Sequence, residues 1–152
     1  MIYPPLLFQL PMAYSQYDRI TPLKNAHSGI RHQLDLVRNA MTESPLPSPR
    51  DLQKSIERLR SLVERHFVDE EGSLYTPLKR RLGRANPVDA MTREHRLMHQ
   101  TLGRLVSASI EYTVDSGRIG DVRSCFDSFQ REMGEHLEKE ETVLFWLADL
   151  KL

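Results

Sequence analysis

The chain is poor in several things that would each point to a definite class of protein. It has a single cysteine, Cys125, in 152 residues, so no intrachain disulfide can form. A lone thiol suits a reducing compartment, and a cytoplasmic location is the expectation. Charge of neither sign prevails, with lysine plus arginine and aspartate plus glutamate at 21 each. No basic stripe interrupts that balance, so the electrostatic footprint expected of a nucleic-acid or anionic-membrane partner is missing. No apolar run approaches the roughly 18 residues that a spanning helix needs. Strand-like alternation and low-complexity tracts are also missing.

What is present is one domain's worth of helical pattern. Met1 to Ala13 is apolar but carries Pro4, Pro5 and Pro11 and has no basic leader. That composition fits an arm packed on a domain better than a signal peptide. Residues 1–17 are therefore expected to form an N-terminal arm, and 18–152 the domain. Met12 is an alternative start. Thr21-Pro22 reads as an N-cap with proline at the first helical position, and Leu23, His27, Ile30, Leu34, Val37 and Met41 follow on one face. The proline-rich Ser44–Pro49 stretch ends that helix. Ser48-Pro49-Arg50-Asp51 opens the second, whose stripe is Leu52, Ile56, Leu59, Val63, His66, Glu70 and Leu74, with Pro77 as its expected stop. A basic loop, Lys79 to Arg84, leads to Asn86-Pro87, the predicted cap of a third helix. That helix bears Met91, His95, His99 or Met98, Leu102, Leu105 and Val106. After a loop over Asp115–Gly120 the fourth helix bears Val122, Cys125 or Phe126, Phe129, Met133, His136, Glu140 and Leu147. Four helices with short connections predict an all-α, antiparallel up-down four-helix bundle.

The polar residues on these apolar faces carry the chemistry. His66 and Glu70 stand four apart, as do His95 and His99, and His136 and Glu140. Residues four apart share a helical face. With about 1.5 Å of rise per residue and alternating helix directions, His27, His66, Glu70, His95, His99, His136 and Glu140 fall within a slab about 12 Å deep. One histidine on an apolar face is usually a core residue, and one carboxylate beside it an ion pair. Seven such groups at one depth would cost several kcal/mol if left unpaired, and metal coordination is the usual remedy. Imidazole and carboxylate without thiolate suit iron, manganese or zinc. The Glu-x-x-His pairs of carboxylate-rich di-iron proteins are not found, because Val63, Thr92, Arg96 and Met133 stand three residues before the four histidines. His32 lies about 140° from His27 around the helix and should face solvent.

The pattern His27 … His66-x-x-x-Glu70 … His95-x-x-x-His99 … His136-x-x-x-Glu140 resembles the hemerythrin-like, or HHE cation-binding, family. The flanking residues of His66-Phe-x-x-Glu-Glu-x-x-Leu-Tyr-x-Pro77, Glu94-His95 and His136-x-x-x-Glu-Glu-x-x-Leu144-Phe145 strengthen the likeness. It spans about residues 18 to 149. The resemblance implies two non-haem iron ions with an oxo or hydroxo bridge. It places His95, His99 and His136 on one ion and His27 and His66 on the other, with Glu70 and a C-terminal glutamate bridging. It further implies a small-molecule ligand (dioxygen, nitric oxide or peroxide) at an open position on the second iron. Oxygen carriers of the family place an aspartate five residues after the last histidine, where this chain has Glu141. Helical spacing and the parallel with His66/Glu70 favour Glu140. Glu71 and Glu141 are then expected around the ligands or at the surface, with Tyr75 and Phe145 able to line the pocket.

Overall fold

Leu23, His27, Ile30, Leu34 and Val37 are all buried along α1 (Ile20–Ala40), and Met41 just after it, as a 3.6-residue period requires of a helix with one face to a core. The computed structural model describes residues 18–84 and 86–152; the expected N-terminal arm lies outside the described residues. α1 begins one residue before Thr21, and its cap is Asp18, whose Oδ1 accepts the backbone N–H groups of Thr21 at 2.9 Å and Ile20 at 3.2 Å. Thr21 and Pro22 thus sit inside the first turn, where Pro22 has no N–H to leave unsatisfied.

α2 (Pro49–Glu70) opens as its sequence predicts: Ser48 accepts from the N–H of Asp51 at 3.2 Å, and its hydroxyl donates to Oδ2 of Asp51 at 2.7 Å. Ser48→Ala should therefore cost about 1 kcal/mol. At this chain length that is a fall of roughly 2–4 °C in melting temperature, read by calorimetry.

Pro77 does not stop the second helix. A π-helical turn over Glu71–Tyr75 is followed by α3 (Thr76–Leu82), so the predicted basic loop is largely helical. The N–H of Thr76 bonds to the carbonyl of Glu71, five residues back, and its hydroxyl donates to the same carbonyl at 2.8 Å. Pro77 lies in the first turn of α3, where a missing donor costs little. Gly83 ends α3 at φ 70°, a left-handed conformation that glycine adopts without strain. Asn86 does not cap the next helix; its side-chain amide donates to the carbonyl of Gly83 at 2.7 Å. α4 (Val88–Val114), α5 (Ile119–Lys139) and α6 (Phe145–Lys151) complete the chain, α6 following a second π turn over Glu140–Leu144. α5 begins inside the predicted loop, behind a short 3₁₀ turn over Ser116–Arg118.

α1 packs on α2, α2 on α4, α4 on α5 and α5 on α1, while α3 meets α6. This is the all-α helical bundle that the sequence predicts, and no strand occurs among the described residues. Its core is in two parts. The larger includes Ile30, Val63, Phe67, Met98, Phe129, Met133 and Leu137; the smaller includes Leu23, Leu74, Tyr75, Met91, Leu144 and Phe145. On each long helix the inward histidines and glutamates fall between residues of one cluster and residues of the other. A polar layer therefore crosses the bundle between two apolar ones. No helix among the described residues is long and apolar enough to cross a membrane.

Candidate metal centre

Six of the seven predicted residues meet in that layer. His27, His66, Glu70, His95, His136 and Glu140 are each at most 1 % exposed. They form two overlapping groups, His27–His66–Glu70–Glu140 and Glu70–His95–His136–Glu140, in which ligand atoms lie within 4.8 Å of one another. Both carboxylates belong to both groups, and each group has two imidazoles of its own.

His99 is not brought to the cluster; its side chain is exposed on α4. The inward stripe of that helix runs Met91, His95, Met98, Leu102, so Met98, 1 % exposed, takes the core position at that turn. The Phe67 ring stacks on His95 with centroids 3.8 Å apart and meets His99 edge-on at 5.2 Å. Its bulk fills the space through which His99 would have to reach. The three-plus-two division of histidines becomes two plus two. His32 is exposed, as its place on the helix predicts.

The tautomers follow from the partners. Nδ1 of His27 donates to Glu141 at 2.8 Å, Nδ1 of His95 to Glu71 at 2.8 Å, and Nδ1 of His136 to Glu94 at 2.9 Å. An ionised carboxylate only accepts, so each Nδ1 carries the proton and each Nε2 turns a lone pair inward. Nε2 of His136 lies 3.0 Å from Oε1 of Glu140 and 3.0 Å from Nε2 of His95. Nε2 of His27 lies 3.3 Å from Oε2 of Glu140, and Nε2 of His66 lies 3.4 Å from Oε2 of Glu70. Two donors each about 2.1 Å from one cation at a right angle stand about 3.0 Å apart. The spacings observed are those of neighbouring ligands on a common ion.

The unpaired atoms make the same point. Nε2 of His27, both ring nitrogens of His66, both oxygens of Glu70 and Oε2 of Glu140 are buried without a hydrogen-bond partner. A buried polar atom left unpaired costs about 1–3 kcal/mol, more if charged. A native fold does not ordinarily gather so many at one place. All of them belong to residues of the two groups. The cluster fits a metal-binding site.

Burial, then the neighbouring charge of Glu140, pushes the Glu70 carboxyl up to about 11. Burial alone would raise Glu140 too, but the neighbouring imidazoles of His136, His27 and His66 outweigh it and hold that carboxyl well below the usual range. Burial lowers His66 and takes His95 down to about 4, whereas for His136 the neighbouring carboxylates of Glu140 and Glu94 outweigh burial and raise it. Signs follow for the metal-free protein. Glu70 and His136 bind protons more tightly folded than unfolded, so their contribution is lost as pH rises. His95 and His66 oppose this only up to their unfolded value near 6.5. Metal-free protein should therefore lose stability as pH climbs above about 6.5, which a melting series in chelator will show.

Glu94 takes a part in the site that its spacing does not announce, and Tyr75 lines the site as expected. Glu94, which Lys139 holds at 2.7 Å, orients His136; the partnership runs between two helices and leaves no mark in either periodicity. Tyr75 donates its hydroxyl to Oε1 of Glu140 and lies 3.2 Å from Nε2 of His95. Burial, followed by the charges of Glu140 and Glu70, raises its phenol and keeps it protonated. Phe145 stacks on His27 at 5.2 Å, and Cys125 is only partly buried, against the larger core.

The family model described as the Hemerythrin HHE cation binding domain matches residues 18–148. No curated protein and no solved structure matches the chain.

Proposed function

The chain belongs to the hemerythrin HHE cation-binding domain family, and on that premise we propose that it is a non-haem di-iron protein that binds dioxygen, or the related molecules nitric oxide and peroxide, within the bundle. The observation carrying the proposal is the set of buried imidazoles and carboxylates converging from four helices on two neighbouring places, several of their atoms without a hydrogen-bond partner. His27 and His66 would hold one ion, His95 and His136 the other, and Glu70 and Glu140 would bridge them. Four nitrogens and two carboxylates without sulfur are a donor set suited to iron, manganese or zinc. Bound iron would supply redox chemistry toward a small ligand.

The protein's part is to position and to exclude. Glu141, Glu71 and Glu94 lock three imidazoles in the tautomer that presents Nε2. Leu74, Leu144 and Phe145, each at most 2 % exposed, screen the layer from water at one end, and Phe67 and Leu137 do so at the other. Tyr75 sets a hydroxyl donor against Glu140 at the edge of the layer.

The test is spectroscopic. Iron-loaded protein is reduced without air and then exposed to it. A charge-transfer band that forms and reverses identifies a carrier. Irreversible oxidation with turnover of added peroxide or nitric oxide identifies a redox enzyme. A colourless protein that holds zinc and does neither is a storage or buffering protein, and the proposal falls.

A further inference from the structure

The bundle carries an internal two-fold likeness. His66 to Tyr75 on α2 and its π turn matches His136 to Phe145 on α5 and its π turn, residue for residue in the ligands. His27 corresponds to His95: Glu141, next to one bridging glutamate, holds the first, and Glu71, next to the other, holds the second. The two halves differ at three places around the ligands. Glu94, preceding His95, orients His136, but Ala26, preceding His27, leaves Nδ1 of His66 without a partner. Tyr75 brings a hydroxyl to His95 and Glu140, where its counterpart Phe145 brings only a hydrocarbon ring to His27. Arg31, four residues after His27, grips both oxygens of Glu141 at 2.7 and 3.1 Å. The corresponding residue, His99, is exposed, and no lysine or arginine pairs with Glu71 among the described residues.

The first and third differences favour the same half, whereas the Tyr75 hydroxyl bears on Glu140, which both positions share. A carboxylate on the outer ring nitrogen raises the basicity of a ligating imidazole, and a neutralised carboxylate does so less. His95 and His136 both have such a partner, one of them free of any cation. His66 has none, and the partner of His27 is committed to a guanidinium. We infer that the two metal positions are unequal: the His95–His136 position takes its divalent cation first and holds it, while the His27–His66 position is the weaker and exchangeable one. This rests on the two-metal reading above and goes beyond it, because the six ligands alone are symmetric.

Removing an outer partner typically costs 10–100-fold in metal affinity, so a separation of roughly that size is expected between the two dissociation constants. The experiment is a titration of metal-free protein with cobalt(II), following binding heat together with the paramagnetically shifted imidazole N–H resonances. The first equivalent should shift the signals of His95 and His136, and the second those of His27. Glu94→Ala, at a half-buried position that tolerates alanine, should weaken the first step and narrow the gap. Ala26→Glu should tighten the second step by supplying the missing partner. Two ions bound with equal affinity, or first shifts at His27, would overturn this inference and leave the two-metal reading standing. Failure of cobalt to reach any of the four histidines would overturn both.

Discussion

Replacing Glu140 with alanine is expected to empty both metal positions at once. No other single truncation except that of Glu70 should match it. Glu140 belongs to both ligand groups, with one oxygen 3.0 Å from His136 and the other 3.3 Å from His27. Truncation removes an anionic donor from each ion and leaves each with two imidazoles and one shared carboxylate. Elemental analysis after extensive dialysis should find metal content falling from two ions per chain to near none. Stability adds a second readout with an unusual ranking. In excess metal the variant should melt well below the native protein, because it has lost the linkage to binding. In chelator the gap should narrow, since Glu70 then faces no second buried carboxylate. His99→Ala and His32→Ala serve as controls. Both residues are exposed, and such changes usually stay within about 0.5 kcal/mol. Metal loss from His99→Ala equal to that from Glu140→Ala would contradict the placement of His99 outside the layer.

Chelation should produce the other large effect. A ligand present at about a thousand times its dissociation constant stabilises the folded state by roughly 4 kcal/mol per site. For a chain of this length each kcal/mol corresponds to about 2–4 °C. Stripping even one ion should thus lower the melting temperature by roughly 8–16 °C, and stripping both by more. The origin of the loss is that, without cations, the ring nitrogens of His66 and the oxygens of Glu70 have no hydrogen-bond partner, and two buried carboxylates face each other. Readdition of iron(II), manganese(II) or zinc(II) should restore the transition in proportion to affinity. A cluster serving only as a buried polar network would melt at the same temperature with and without chelator.

The parts of this architecture readable from the chain are those governed by helical period. Apolar residues at three- and four-residue steps marked each inward face, and His27, His66, Glu70, His95, His136 and Glu140 were placed by continuing those steps. The period is ambiguous where two neighbours share a turn. At Met98 and His99 both candidates lie near the face, and the decision falls to Phe67 from another helix, whose ring occupies the gap. The π turns escaped the same reasoning because each adds a residue to a turn, burying the consecutive pairs Leu74–Tyr75 and Leu144–Phe145. A strict 3.6-residue period puts only one of each pair inside, and Pro77 then reads as a terminator. Thr21-Pro22 misled for a different reason: a better acceptor, Asp18, stood three residues upstream. The Glu94–His136 bond depends on the rotation of α4 relative to α5, which no property of a single helix reveals.

The proposed function requires two cations side by side in the polar layer. Anomalous diffraction from crystals of the protein loaded with iron or manganese measures that directly. Two peaks roughly 3.5–4 Å apart are expected, one between His27 and His66 and the other between His95 and His136, with Glu70 and Glu140 touching both. A single peak, none, or peaks at the surface away from these six residues would contradict it.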